Sequence, residues 1–236
     1  MWFLVDSLIT PIPGFQEPFS SLSHLLGAGM FAVAAIPLIR KSRGHAGRVF
    51  VASLFAFTVV FQLSMSGVYH LLGHNAGREV MQRLDHAAIF TLIAGTITFV
   101  HAILFRGFMR WGMIIPLWAM AATAITLKTI FFHDVAEWFS LGMYLGLGWL
   151  GAVSGLALWR RFGFAYMRPI LAGGLAYTIG AVFEFARWPW VVTGVIGPHE
   201  MFHVAVLIGI TCHWYFAYGI AGGHVDPLNV SPRTAD

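Results

Sequence analysis

Seven long apolar runs dominate this sequence, and each is close to the length that crosses a lipid bilayer. A membrane-spanning helix needs about 20 mostly apolar residues. Only 10% of the 236 residues are charged, against about 25% in soluble domains. The sequence therefore predicts an all-α, polytopic membrane protein that folds as a bundle of seven transmembrane helices. The runs cover residues 21–39, 50–72, 84–105, 109–132, 138–159, 169–185 and 199–220.

The segments outside the runs are short and leave no room for a soluble domain. We expect one membrane domain over residues 1–236, with a polar tail over 223–236. The first residues lack a basic region and contain Pro11 and Pro13. That is not the pattern of a signal peptide, so we expect a short interfacial segment there. The sequence has no nucleic-acid motif, its single cysteine excludes a disulfide within the chain, and it leaves the oligomeric state open.

Seven crossings place alternate links on opposite sides of the membrane. We name the side with the N-terminus and the links at 73–83, 133–137 and 187–198 the site end, and the other side the opposite end. Basic links favour the cytoplasm, and the opposite end is the more basic, so we predict that the site end faces outward. The opposite end has ten basic residues, Arg40, Lys41, Arg43, Arg48, Arg106, Arg110, Arg160, Arg161, Arg168 and Arg233, and the site end has four, Arg78, Arg83, Lys128 and Arg187.

Three histidines at the site end form a candidate metal-ligand set. His199 and His203 are four residues apart, which places them on one face of a helix with Cβ atoms about 5–6 Å apart. His70 closes the second run at the same end of the bundle. Three imidazoles and a water form the open coordination of a hydrolytic Zn²⁺ site. The alternative is that the histidines only form hydrogen bonds with the backbone or with acids.

Asp85 and Ser66 are candidate catalytic residues beside this set. Asp85 opens the third run, where a carboxylate either stabilises a helix N-terminus or holds and deprotonates an attacking water. Ser66 lies one turn before His70, so both side chains project on one side of a helix. Its hydroxyl either polarises a substrate carbonyl or bonds back to the carbonyl of residue 62.

Other polar and small residues inside the runs have more ordinary expected roles. Of four further histidines, we expect the two nearer the site end to support the ligands or pack, and the other two to be structural. Glu184 is expected to form a salt bridge with Arg187. Small residues at 27–29, 146–148 and 173–174 are expected to allow close helix packing. The four histidines are His24, His86, His101 and His213.

Several motifs in order along the chain resemble the hemolysin III family. That family belongs with the progestin and adipoQ (adiponectin) receptors and, more distantly, with the alkaline ceramidases. The resemblance covers nearly the whole chain. The motifs are SLSHLLGAG at 21–29, SxxYH at 66–70, LDHAAIFTLIAGTIT at 84–98, GGLAYTIGAVF at 173–183 and HEMFHVAVLIG at 199–209.

The resemblance implies a site chemistry as well as a fold. It implies Zn²⁺ held by His70, His199 and His203, with Asp85 reaching the metal through water and Ser66 one turn before the first ligand. Because the relatives include enzymes that hydrolyse the amide of ceramide, it also implies a hydrolase. The adiponectin receptors keep their zinc on the cytoplasmic side, whereas the charge pattern here predicts the reverse.

Three functional hypotheses follow for a protein expected in the bacterial inner membrane. The first is a zinc-dependent hydrolase of a lipid amide or ester, with a lipid substrate that enters sideways between helices. The second is a receptor or sensor in which zinc is structural. The third is a hemolysin-like pore or transporter. Open zinc coordination beside a lipid-sized cavity favours the first, a fourth protein ligand the second, and a continuous polar path the third.

Overall fold

The computed structural model describes residues 9–223, which fold as seven α-helices. All seven are long and apolar enough to cross a membrane. The predicted seven-helix membrane bundle is therefore confirmed. The 23 residues of the shortest helices correspond to roughly 35 Å of length. The helices are α1 Pro18–Lys41, α2 Ala46–Leu71, α3 Ala76–Leu104, α4 Phe108–Ile130, α5 Glu137–Phe162, α6 Phe164–Ala186 and α7 Pro198–Ile220.

Helix α3 begins earlier than its apolar run, and this changes the setting of Asp85. The side chain of Asn75 accepts a hydrogen bond from the backbone N–H of Arg78 at 3.0 Å and so caps the helix. The acid of the first turn is Glu79. Asp85 lies roughly two and a half turns from the start of the helix at Ala76, so its expected alternative role as a helix N-terminal acid is wrong.

The helices pack mainly against their neighbours in the chain, and α1 closes the ring by packing on α7. Helix α3 also contacts α5 and α7, which places it in the middle of the bundle. One apolar core joins α1, α2, α3 and α7 around Phe55, Leu63 and Ile210. A second joins α3, α4 and α5 around Phe90 and Leu117. This arrangement brings the last turn of α2 beside the first turns of α7.

The small residues do not all serve close packing. A Cβ on Gly27 would lie 2.7 Å from the Leu207 side chain, and one on Gly173 would lie 2.5 Å from the His213 ring, so helices do approach closely at these two positions. In contrast, a Cβ on Gly148 or Gly174 would meet nothing within 4 Å. Both glycines line a partly open cavity bordered by α5 and α6. The expectation of tight packing is wrong there, because the glycines border open space.

Candidate metal centre

The segment before α1 folds back over the site end of the bundle. The backbone N–H of Thr10 donates to the carbonyl of Gly194 at 2.8 Å. At the other end of the segment, the N–H groups of Gln16 and Glu17 donate to the carbonyls of Leu71 and His70. These bonds fix Glu17 beside the last turn of α2, where the residue is only 2% exposed.

The structure brings the three predicted histidines together. His70 comes from the last turn of α2, and His199 and His203 from the first two turns of α7. The Nε2 atom of His199 lies 3.2 Å from that of His70 and 3.1 Å from that of His203. One ligand atom from each residue lies within 4.8 Å of the others. We name these three residues the histidine cluster.

The start of α7 is held in register by an acid inside the histidine motif. One carboxylate oxygen of Glu200 accepts from the backbone N–H of Gly197 at 3.0 Å, which caps the helix. The other accepts from the hydroxyl of Ser20 in α1 at 2.9 Å. Because Glu200 is 1% exposed, both bonds are shielded from water and fix the helix that carries His199 and His203.

Two of the three imidazoles are also held from behind by carboxylates. The Nδ1 atom of His70 bonds Glu17, and the Nδ1 atom of His199 lies 3.2 Å from a carboxylate oxygen of Glu184. Each carboxylate is itself paired with an arginine: Glu17 with Arg78, and Glu184 with Arg187 at 3.0 Å. Carboxylates in this position fix the tautomer and the orientation of histidines that bind metals.

The carboxylate behind His70 is ionised at neutral pH. Burial on its own raises the pKa of the Glu17 carboxyl, but the positive charges of His70, His199 and Arg78 act against it and bring that pKa down to about 2. Glu17, which lies just before α1, therefore provides a fixed negative charge next to the histidine cluster. Because a carboxylate accepts but cannot donate, the single proton of the His70 ring lies on Nδ1 whenever that ring is neutral.

The chemistry of the donor set fits a metal ion. When Nδ1 donates to a carboxylate, the Nε2 atom of a neutral imidazole carries a lone pair. This holds for His70 and His199 when both rings are neutral, the form that binds a metal, and their Nε2 atoms face each other at 3.2 Å. Two converging lone pairs repel unless a proton or a metal ion lies between them. Neutral imidazole nitrogens suit Zn²⁺ better than Mg²⁺ or Ca²⁺.

The two predicted catalytic residues are both buried. Asp85 is 7% exposed, and its carboxylate lies 3.8 Å from Nδ1 of His86. Within residues 9–223 it does not belong to the group whose ligand atoms lie within 4.8 Å of one another. Ser66 is 1% exposed and lies one turn before His70 in α2. The roles of both residues stay predictions.

Of the four further histidines, His24 packs directly on the histidine cluster. Its ring stacks on that of His203 with centroids 3.9 Å apart, and its Nε2 lies 3.4 Å from the His203 carbonyl. His86 donates to the carbonyl of Gln82 at 2.8 Å. The other two bond groups on neighbouring helices, His101 with the Ser154 hydroxyl and His213 with the Ile170 carbonyl.

Sequence reasoning missed the roles of Glu17 and Glu200, and it missed the contact of Glu184 with His199. The predicted Glu184–Arg187 pair is present, but the same carboxylate also holds His199. Arg187 in addition bonds Glu137 at 2.6 Å. A usable signal existed for Glu184, because an acid inside an apolar run needs a partner. Glu17 gave no such signal, because it precedes the first run.

Together, the helices and the histidine cluster define a class: a multi-pass α-helical membrane protein with a buried three-histidine candidate metal centre near one end. The family description "Haemolysin-III related" matches residues 15–214. The chain belongs to this family. The spans and the bacterial relatives agree with a multi-pass protein of the bacterial plasma membrane.

Relatives of known name cover most of the chain. Hemolysin-3 of Bacillus cereus is 29% identical over 197 residues, which is 82% of this chain and 86% of that protein. The Hemolysin-3 homolog of Bacillus subtilis (strain 168) is 25% identical over 71% of this chain and 79% of its own. The heptahelical transmembrane protein ADIPOR2 of Oryza sativa subsp. japonica is 29% identical over 187 residues, which is 72% of this chain and 82% of that protein. This last similarity supports the link to the adiponectin-receptor group.

Proposed function

We propose that the protein is a zinc-dependent hydrolase of a lipid amide or ester, with Zn²⁺ held by His70, His199 and His203. The observation that carries this proposal is the convergence of imidazole nitrogens at 3.1–3.2 Å, with Nδ1 of two rings held by carboxylates. Within the described residues the group contains three protein ligands. Structural zinc sites use four protein ligands, whereas catalytic sites use three and keep one position open.

A bound Zn²⁺ would supply a water of lowered pKa and would polarise a substrate carbonyl. The chain's own residues have separate tasks. Glu17 and Glu184 orient the ligands and keep their Nε2 lone pairs turned inward. Asp85 would accept the proton of the attacking water and later return it to the leaving group. Ser66 would donate a hydrogen bond to the oxygen on which charge develops.

Two features of the described part of the chain support this function over the alternatives. A receptor with structural zinc requires a fourth protein ligand, and the group in residues 9–223 has three. A pore requires a polar path through the bundle, whereas the partly open cavity is lined mainly by apolar side chains such as Leu92, Ile97 and Val206. We propose the substrate class, a lipid amide or ester, together with the reaction.

The substitution Asp85→Asn separates a base from a metal ligand. It keeps the shape of the side chain but removes its ability to accept a proton. We expect the purified variant to retain its zinc, measured by elemental analysis, and to lose hydrolysis of lipid amides and esters, ceramide included, by about 10²-fold or more. Asp134→Asn is the control, because Asp134 is exposed in a link at the same end.

Two results of this experiment would contradict the assignment. If Asp85→Asn loses as much zinc as His203→Ala, the carboxylate binds the metal directly. If the variant turns over an identified lipid at the wild-type rate, Asp85 has no part in the reaction. Hydrolysis by the wild type that does not respond to zinc removal would overturn the proposed function as a whole.

A further inference from the structure

A partly open cavity of about 210 Å³ lies in the bundle and is lined by residues of α2, α3, α5, α6 and α7. It is larger than the cavity of about 150 Å³ that accepts a benzene molecule in another protein. Three of its lining residues are within about one helical turn of a site residue. They are Gln62, one turn from Ser66, Ile89, one turn from Asp85, and Phe202, beside His203.

The cavity wall is apolar apart from a few side chains, and one of them lacks a partner. Gln62 is 3% exposed, and its side-chain oxygen is buried without a hydrogen-bond partner. A satisfied polar group on the same wall is Thr96, whose hydroxyl donates to the carbonyl of Leu92 at 2.8 Å. Buried polar groups are nearly always hydrogen-bonded, so each exception requires an explanation.

The position of Gln62 relates it to the histidine cluster. Residues 62, 66 and 70 recur every four residues along α2, so Gln62, Ser66 and His70 project on the same side of the helix. Eight residues of helix correspond to about 12 Å along its axis. Among the described residues on the wall, the other buried atom without a partner is Nδ1 of His213, whose Nε2 is already bonded to Ile170.

We propose that Gln62 recognises a hydroxyl group on the hydrocarbon chain of the substrate, about 12 Å along α2 from His70. This inference rests on the proposed function, because it takes the chain in the cavity to be part of the lipid that is cleaved. A hydroxyl both donates and accepts. It can therefore donate to the amide oxygen of Gln62 or accept from the amide NH₂ group of Gln62. A charged group would not be tolerated in such an apolar cavity.

The selectivity has a physical basis. A site that contains a buried hydrogen-bonding group rejects an analogue that lacks the matching group, because the protein group is then left unpaired. A chain without the hydroxyl would fill the same space but leave Gln62 unsatisfied. We therefore expect the protein to prefer hydroxylated chains over plain chains of equal length.

Direct binding of free fatty acids tests the inference without requiring turnover. The probes are palmitic acid and its set of monohydroxylated derivatives, titrated into the full-length protein in lipid nanodiscs. For the wild type we expect one derivative, or two adjacent ones, to bind about tenfold or more tightly than palmitic acid. Gln62→Leu should lose this preference and should bind palmitic acid at least as tightly as the wild type does. Thr96→Val, on the same wall, should keep it.

Several results would overturn the inference. These are equal binding of palmitic acid and every derivative, no binding of any acid, or a preference that survives in Gln62→Leu. A purely structural Gln62 would instead give a lower melting temperature in Gln62→Leu with an unchanged preference. Because free acids are not hydrolysed, these failures differ from a failure of the proposed function, which is measured by turnover and zinc.

Discussion

Replacing Glu17 by glutamine should weaken metal binding without unfolding the protein. In the wild type the carboxylate accepts from Nδ1–H of His70 and from the Arg78 guanidinium. The glutamine oxygen can still accept from Arg78, but its NH₂ group then faces Nδ1 of His70. That nitrogen must become an acceptor, which moves the ring proton to Nε2, the atom directed at the histidine cluster. A protonated Nε2 cannot bind a metal.

The size of the effect follows from the supporting role of Glu17. Loss of an outer partner of a ligating histidine typically lowers metal affinity by about 10–100-fold, equivalent to about 1.4–2.8 kcal/mol. Arg78 keeps its bonds to the carbonyls of Tyr69 and Leu72 at 3.0 and 2.6 Å. These bonds continue to hold the link between α2 and α3, so we expect the fold to persist.

The assay is a competition titration of zinc between the purified protein and a chelating dye, with circular dichroism as the measure of folding. Glu79→Gln is the matched control, because Glu79 is an exposed acid at the same end of the bundle. The reasoning is refuted if Glu17→Gln binds zinc as tightly as the wild type, or if Glu79→Gln loses the same affinity.

Two further predictions concern orientation and packing. A reporter fused after Asp236 should be active in the cytoplasm, because seven spans place the C-terminus on the side opposite the site end; activity only in the periplasm would reverse the orientation. Gly95→Ala should lower the melting temperature by about 2–12 °C, because the added Cβ would lie 2.3 Å from the Thr58 hydroxyl oxygen. Gly148→Ala, where a Cβ meets nothing within 4 Å, should leave it nearly unchanged; equal shifts in the two variants would contradict the packing described for α2 and α3.

The architecture could be predicted because membrane spans are encoded locally. Apolar length alone indicates each crossing, and alternation of the links then places His70 and His199 at one end. Helix starts that lie outside the apolar run could not be predicted in this way. Helix α3 begins at Ala76 because Asn75 caps a polar first turn, and hydropathy does not detect that turn.

The supports of the histidine cluster depend on contacts between distant segments. Glu17 reaches His70 only because residues 9–17 fold back over the bundle and bond the end of α2. No periodicity in the sequence indicates this path. Likewise, glycines at 27 and 148 look equivalent in sequence, but one is packed against Leu207 and the other borders the cavity.

Zinc content of the purified protein tests the central claim most directly. We expect about one zinc per chain in the wild type, and X-ray absorption with imidazole nitrogens at about 2.0–2.1 Å. The double variant His70→Ala, His203→Ala should lose the metal and melt at a lower temperature. The double variant His74→Ala, His133→Ala removes two exposed histidines from links at the same end. It should keep the zinc and the melting temperature of the wild type. Full zinc occupancy in the first double variant, or a wild type that binds no zinc, would contradict the account.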